Sequence, residues 1–281
     1  MNYIIMYIAF LFGIFSCSPE STNKISLMES YDFQNPIKIK ITNKLKEISG
    51  LAKTADENLL AISDELGVIY KLNAENGKII KRFFLGKWTA EADFEGIAIS
   101  KDFIFAISSN GTLYKFKEGK NEESVDYEVI KLPFSSKFDI EGLYYDPELN
   151  GLLITPKAYS GKKLKNSRAV YFYSLEHNEI DKKPIFTISL KTLEKNFGIT
   201  DFYPSGISKH PTTGNFFILS ARGQNVIVEV NKLGEVISAQ SLNEKKHRQP
   251  EGISFLNDNT LLISDEAAGK KPTITKYKYI D

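Results

Sequence analysis

The chain has 281 residues, 42% of them hydrophobic, which excludes an intrinsically disordered protein and leaves enough apolar side chains for a sizeable core. Its 36 basic and 35 acidic residues give a formal net charge of +1, so composition supplies no reason to expect nucleic acid as a partner. The lone cysteine excludes an internal disulfide.

The first element in chain order is an apolar stretch from Ile4 to Phe15. At 12 residues it falls short of the roughly 20 a membrane-spanning helix needs, and it suits the apolar region of a signal peptide. It runs into Ile14-Phe15-Ser16-Cys17, which resembles a bacterial lipobox in which Cys17 is lipidated and becomes the new N-terminus. No Lys or Arg precedes the apolar run, a departure from the usual signal. The expected organisation is therefore a lipoprotein signal peptide over 1–16, a polar tether over 17–35 and one folded domain over 36–281. The expected location is the bacterial cell envelope, with the lipid holding the domain to a membrane and the domain facing the periplasm or the exterior.

The folded part is built on a repeat. The segments Glu47-Ile48-Ser49-Gly50-Leu51, Asp93-Phe94-Glu95-Gly96-Ile97 and Asp139-Ile140-Glu141-Gly142-Leu143 share one signature. It returns at Tyr203-Pro204-Ser205-Gly206-Ile207 and Gln249-Pro250-Glu251-Gly252-Ile253, with glycine spacings of 46, 46, 64 and 46 residues. After each glycine come further strand patterns. In the first unit these are Leu59 to Ser63, Val68 to Leu72, an Asn76-Gly77 hairpin signal and Ile79 to Leu85. Four antiparallel strands at a mid-forties period describe a propeller blade. The chain is thus expected to be all-β, a five-bladed β-propeller. The last unit has only three strands, and Pro36 to Thr42 is expected to supply its outer strand and close the ring. The 18 extra residues of the third unit are too few for a sixth blade and read as insertions at Ala158 to Asn166 and Lys191 to Asp201.

Innermost strands line a propeller's axis, so residues at matching positions converge there. The position before each glycine reads Ser49, Glu95, Glu141, Ser205 and Glu251; two residues earlier stand Glu47, Asp93, Asp139, Tyr203 and Gln249. The ends of the second strands add Asp64-Glu65, Ser109-Asn110, Pro156-Lys157, Ala221-Arg222 and Asp265-Glu266. Carboxylates crowded this closely cannot all ionise without a cation or basic partners. Three solutions stay open. Calcium fits an all-oxygen site, with Glu95, Glu141, Glu251, Glu47, Asp64 and Asp265 as candidate ligands. Alternatively, Lys157 and Arg222 neutralise the carboxylates, or each Glu bonds a neighbouring backbone and staples the ring.

The five signatures, together with Gln249 to Ser254 and Leu261-Leu262-Ile263-Ser264-Asp265-Glu266, resemble the bacterial SdiA-regulated family, distant relatives of the NHL-repeat propellers. The resemblance runs from about Pro36 to the end. It implies a five-bladed propeller with a bound calcium ion and no established activity. Two functions follow as expectations: a non-enzymatic, calcium-binding envelope module that presents a rigid surface to a ligand or partner, or a calcium-dependent hydrolase acting at the channel mouth. Nucleophilic catalysis has little support, since no Gly-x-Ser-x-Gly elbow and only three histidines occur. His247, four residues before Glu251, is the one candidate base, and its place in the basic run Lys245 to Arg248 reads equally as a solvated loop.

Overall fold

The computed structural model describes residues 27–280; the apolar leader, its processing site and Cys17 lie outside them. Five antiparallel sheets succeed one another along the chain as blades. The first runs outward through Ile48–Lys53, Leu59–Ser63, Val68–Leu72 and Ile79–Leu85. The second comprises Phe94–Ile99, Ile104–Ser108, Thr112–Phe116 and Tyr127–Lys131, and the third begins Ile140–Asp146, Gly151–Pro156, Ser167–Ser174. The fourth is Pro204–Lys209, Phe216–Ser220, Val226–Val230 and Val236–Ser241. In the fifth, Pro250–Phe255, Leu261–Asp265 and Thr273–Tyr277 are joined by Ile37–Lys40, which lies antiparallel to the last of them with Ile37 opposite Lys276 and Lys40 opposite Thr273.

Two blades depart from the four-strand plan. Ser124–Val125 adds to the outer edge of blade one as a short parallel strand opposite Phe84 and Leu85. In blade three the outer edge is shared by Glu179–Ile180 and Phe186–Ser189, which pair with different halves of the long strand Ser167–Ser174. The insertion after Ser189 is a short helix, Leu190–Phe197, capped by the Ser189 hydroxyl on the Thr192 amide and ended by Gly198 at φ 69°. Its buried Leu193 packs into the interface of blades three and four.

The second strand of every blade is an unbroken apolar run because both of its faces are covered. With a side-chain period of two, Leu59 and Ala61 enter the core shared with blade five, while Leu60 and Ile62 enter the core shared with blade two. Phe216 and Ile218 likewise face blade three, and Phe217 and Leu219 face blade five. The described residues thus form five cores, one at each blade interface. A one-residue slip in any of these strands would exchange the contents of two cores, so register is tightly specified.

The segment read as the far end of a tether is built into this packing instead. Leu27, Met28 and Tyr31 are buried among Phe217, Ile227, Phe255 and Tyr277 at the interface of blades four and five. The cause is the apolar content of Leu27 to Phe33, anchored by polar contacts. Glu229, wholly buried, accepts from the Leu27 amide at 3.1 Å and from Ser238 and Asn215, and the Tyr31 hydroxyl donates to the Asn259 carbonyl at 2.8 Å. Compared with a chain starting at Leu27, one starting at Gln34 loses three buried side chains worth roughly 1.5–3 kcal/mol each. Its thermal midpoint should fall by more than about 5 °C, and a chain starting at Asn43, lacking the outer strand as well, should fall further. Equal melting of all three would mean that neither segment contributes to the fold.

The innermost strands meet at the five signature glycines. A Cβ on Gly50 would stand 2.8 Å from the Ile97 amide nitrogen of the next blade, and one on Gly206 would stand 2.7 Å from the Glu251 carbonyl oxygen. Gly96 meets Leu143, Gly142 meets Ile207, and Gly252 meets Leu51, which returns the series to blade one. None of the five has positive φ, so the demand for glycine here is steric rather than conformational. Since the obstructing atoms are backbone, Gly50→Ala and Gly206→Ala should each destabilise by about 1–3 kcal/mol in urea unfolding.

Candidate functional site: the axial carboxylates

In each innermost strand the register shifts at one place, between Ile48 and Gly50, Phe94 and Gly96, Ile140 and Gly142, Pro204 and Gly206, and Pro250 and Gly252. The residue skipped by the ladder is Ser49, Glu95, Glu141, Ser205 or Glu251. A β-bulge leaves one residue unpaired and re-aims its side chain, and here all five line the axial void. The two serines are satisfied by carbonyls, Ser49 by Glu47 and Ser205 by Pro250 at 2.9 Å. The three glutamates remain. The void they share is about 10 Å³, space for about one water or a bare ion and too small for an organic substrate.

Four of the residues two positions before a bulge join the ends of the second strands through the backbone. The carbonyls of Glu47, Asp93, Asp139 and Gln249 accept from the amides of Asp64, Ser109, Lys157 and Glu266 at 2.8–3.2 Å. This extension of the inner hairpins carries Asp64, Lys157 and Glu266 to the same mouth. Lys157 supplies one cation, its Nζ 2.6 Å from Glu141 Oε1. Arg222, the other proposed partner, is exposed and lies over the Tyr203 ring at 5.2 Å, together with Arg168 at 4.9 Å. A planar guanidinium gains more from that aromatic face than from reaching across the mouth.

One ammonium does not offset the acidic charge. Burial, then Glu141, Asp93 and Glu251, pushes the Glu95 carboxyl up to about 10. Burial raises Glu141 to about 7 against the opposing pull of Lys157, and burial with Glu141 raises Glu251 well above the usual range. At the mouth, burial and the charges of Glu47 and Glu65 lift Asp64 to about 6; burial, Asp64 and Glu47 lift Glu266 to about 7. Burial pulls Lys157 down, but Glu141 outweighs it and holds the ammonium charged. Two buried acceptors, Glu251 Oε2 and Asp64 Oδ1, have no partner among the described residues.

Of the six carboxylates singled out as calcium ligands, the structure therefore brings Glu95, Glu141 and Glu251 to the axis and sets Asp64 and Glu47 at the mouth, Glu47 beside Lys46 at 3.1 Å. Asp265 divides its two oxygens: its charge is felt by Glu251 and its buried Oδ1 has no partner among the described residues. Its Oδ2 meets His247 Nδ1 at 2.9 Å, and His247 Nε2 meets the Tyr277 hydroxyl at 2.5 Å, all three groups being buried. His247 is thus no solvated loop residue, and neither ring nitrogen is free to act as a base at the mouth. The basic run that suggested a loop hid it; only the packing of the run's third residue beneath blade five reveals the triad. As the side chains stand, no three His, Cys, Asp or Glu groups among the described residues form a ready metal cage.

The donor set nevertheless suits a hard cation. It is all oxygen, it has partnerless buried atoms, and its carboxyls resist ionising without positive charge.

Comparison with known proteins supports the architecture. Among solved structures, a luciferin-regenerating enzyme superposes with a TM-score of 0.57 at 11% identity, covering 87% of this chain and 95% of that one. The PQQ-bound aldose sugar dehydrogenase of Streptomyces coelicolor gives 0.55 at 12% identity (89% and 98% covered), and glutaminyl cyclase of Myxococcus xanthus 0.55 at 11% (88% and 97%). At these identities the likeness extends to the fold alone. No curated protein matches the sequence. The profile of the SdiA-regulated family matches residues 26–269, and with five blades, five bulged signatures and that match across most of its length, the chain belongs to the SdiA-regulated family.

Proposed function

We propose that the protein is a calcium-binding propeller anchored in the bacterial cell envelope, serving as a non-enzymatic module that presents a rigid surface to a ligand or partner. The observation that carries the calcium reading is the set of bulges that turns Glu95, Glu141 and Glu251 into one void, where Glu251 Oε2 has no partner among the described residues. Glu95 and Glu251 would be the principal ligands, with Glu141 shared with Lys157 and Asp64 at the mouth. A divalent ion there would supply the positive charge that lets these carboxyls ionise and would tie three blades together. The binding role is favoured over the hydrolase by His247, whose two ring nitrogens are both engaged and so offer no base at the mouth. The lipobox-like Ile14 to Cys17 supports the anchor.

Proton and cation compete for the same oxygens. Without a divalent ion, a carboxyl whose folded pKa is raised contributes stability below its unfolded value near 4.5, and this contribution is lost as pH rises toward the folded value, about 7 for Glu141 and about 10 for Glu95. The chelated protein should therefore melt at progressively lower temperature between pH 5 and pH 9. Added calcium should raise the midpoint more at pH 8 than at pH 5.5, and magnesium, which demands regular octahedral geometry, should do so poorly. Glu251→Gln should diminish the calcium response, and Glu179→Gln, on the outer edge of blade three, should leave it intact. A flat calcium isotherm in calorimetric titration at pH 8 would reject the metal site.

The anchor has its own test. The native protein expressed in a bacterial host should partition into detergent, and Cys17→Ser should yield a soluble or unprocessed form. Native protein that retains residues 1–16 would overturn it.

A further inference from the structure

A second charged feature lies on the rim of blade five and is unused by the axial site. The outer strand, the loop entering the blade and the loop after Asp265 enclose a cleft of about 560 Å³, within the range of small-molecule sites. Lys38 and Lys40 line it from the strand, Lys245, Lys246 and Arg248 from the entering loop, and Lys270 and Lys271 from the far side. Lys245 and Arg248 of the run Lys245 to Arg248 stay exposed, as a solvated loop implies, and the fold brings the run against two other basic segments.

None of these seven cations has a carboxylate within 4 Å among the described residues, although the chain as a whole carries almost as many acids as bases. Three are held by carbonyls instead. Lys38 donates to the Lys246 carbonyl, Lys246 to that of Gln34, and Arg248 to that of Ala268 at 2.9 Å. Carbonyls fix position without neutralising charge. Two acids also line the cleft, Asp265, whose charge attracts the Lys38 ammonium, and Glu266, which adjoins the mouth carboxylates, so seven basic side chains face two acidic ones. Burial and the neighbouring charges of Arg248 and Lys270 push the Lys38 ammonium down, against the attraction of Asp265. Positioned, mutually repelling cations around a concave space complement a compact anion with several acceptor oxygens, and the arginine fork and lysine ammoniums match phosphate.

We propose that this cleft binds a phosphate-bearing group, independently of the axial carboxylates. Titration calorimetry with glycerol 3-phosphate, and co-sedimentation with phosphatidylglycerol against phosphatidylcholine vesicles, probe the two sources of that chemistry. Glycerol 3-phosphate should bind with an affinity that falls as salt rises. The double variants Lys246→Gln/Arg248→Gln and Lys270→Gln/Lys271→Gln should each weaken it at least tenfold with unchanged thermal midpoints, whereas Glu141→Gln should not alter it. Selective sedimentation with phosphatidylglycerol, without glycerol 3-phosphate binding and abolished by the same variants, would assign the phosphate to a lipid headgroup and equally support the site. Absence of both, or binding that both double variants leave unchanged, would overturn it.

Discussion

The structure depends on the contact of each signature glycine with the neighbouring inner strand. At four of the five, two backbones approach so closely that an added methyl group would stand 2.7–2.8 Å from a main-chain atom or a Cβ of the next blade, and at Gly142 it would first meet Thr155 Oγ1 of its own blade. Everything outside this ring follows from it. The close approach at the axis fixes the wedge angle between blades, and the wedge is then filled by larger side chains, Leu60 and Ile62 against Phe94, or Phe217 against Phe255. Burial of apolar side chains drives the assembly, and the glycines let the inner strands approach so closely that the axis at the level of the carboxylates keeps only about 10 Å³.

The same geometry generates the electrostatic problem at the axis. A bulge immediately before a glycine faces inward, so whatever side chain occupies it must share about 10 Å³ with four others. Serine is compatible with that space because a neighbouring carbonyl accepts its hydroxyl. Glutamate is not, unless it is protonated, paired or bound to a cation. The chain carries three, pairs one with Lys157, and leaves the remaining two with strongly raised proton affinity. A site kept in this state destabilises the unliganded fold at neutral pH, and linkage to a cation would turn that cost into ion-dependent stability. The opposite polarity stands a short distance away on blade five, where cations rather than anions are left uncompensated. A nearly neutral protein thus carries two separate local excesses of charge, one acidic and one basic.

Much of this was legible in the residues. A glycine-centred signature at a 46-residue period, with β-strand patterns between copies, specifies blades and their number, because each blade is a local hairpin assembly whose turns and alternation are written within it. The inner-strand position of Glu95, Glu141 and Glu251 also followed, since equivalent positions in a ring must converge. What escaped were features set by contacts between distant segments. Leu27 to Phe33 reads as the end of a polar tether until Glu229, some 200 residues on, is seen to hold it. His247 sits among three basic neighbours and reads as solvated, yet Asp265 and Tyr277 from two other strands enclose it. Arg222 was a plausible partner for a carboxylate by position, and an aromatic face took it instead. Periodicity and steric demand are local properties of the chain, so the repeat, the blade count and the ring of carboxylates can be read from the residues alone. Which carboxylates meet, which cation neutralises which, and where the unpaired cations gather depend on long-range electrostatics and burial, and no spacing along the chain brings those side chains together.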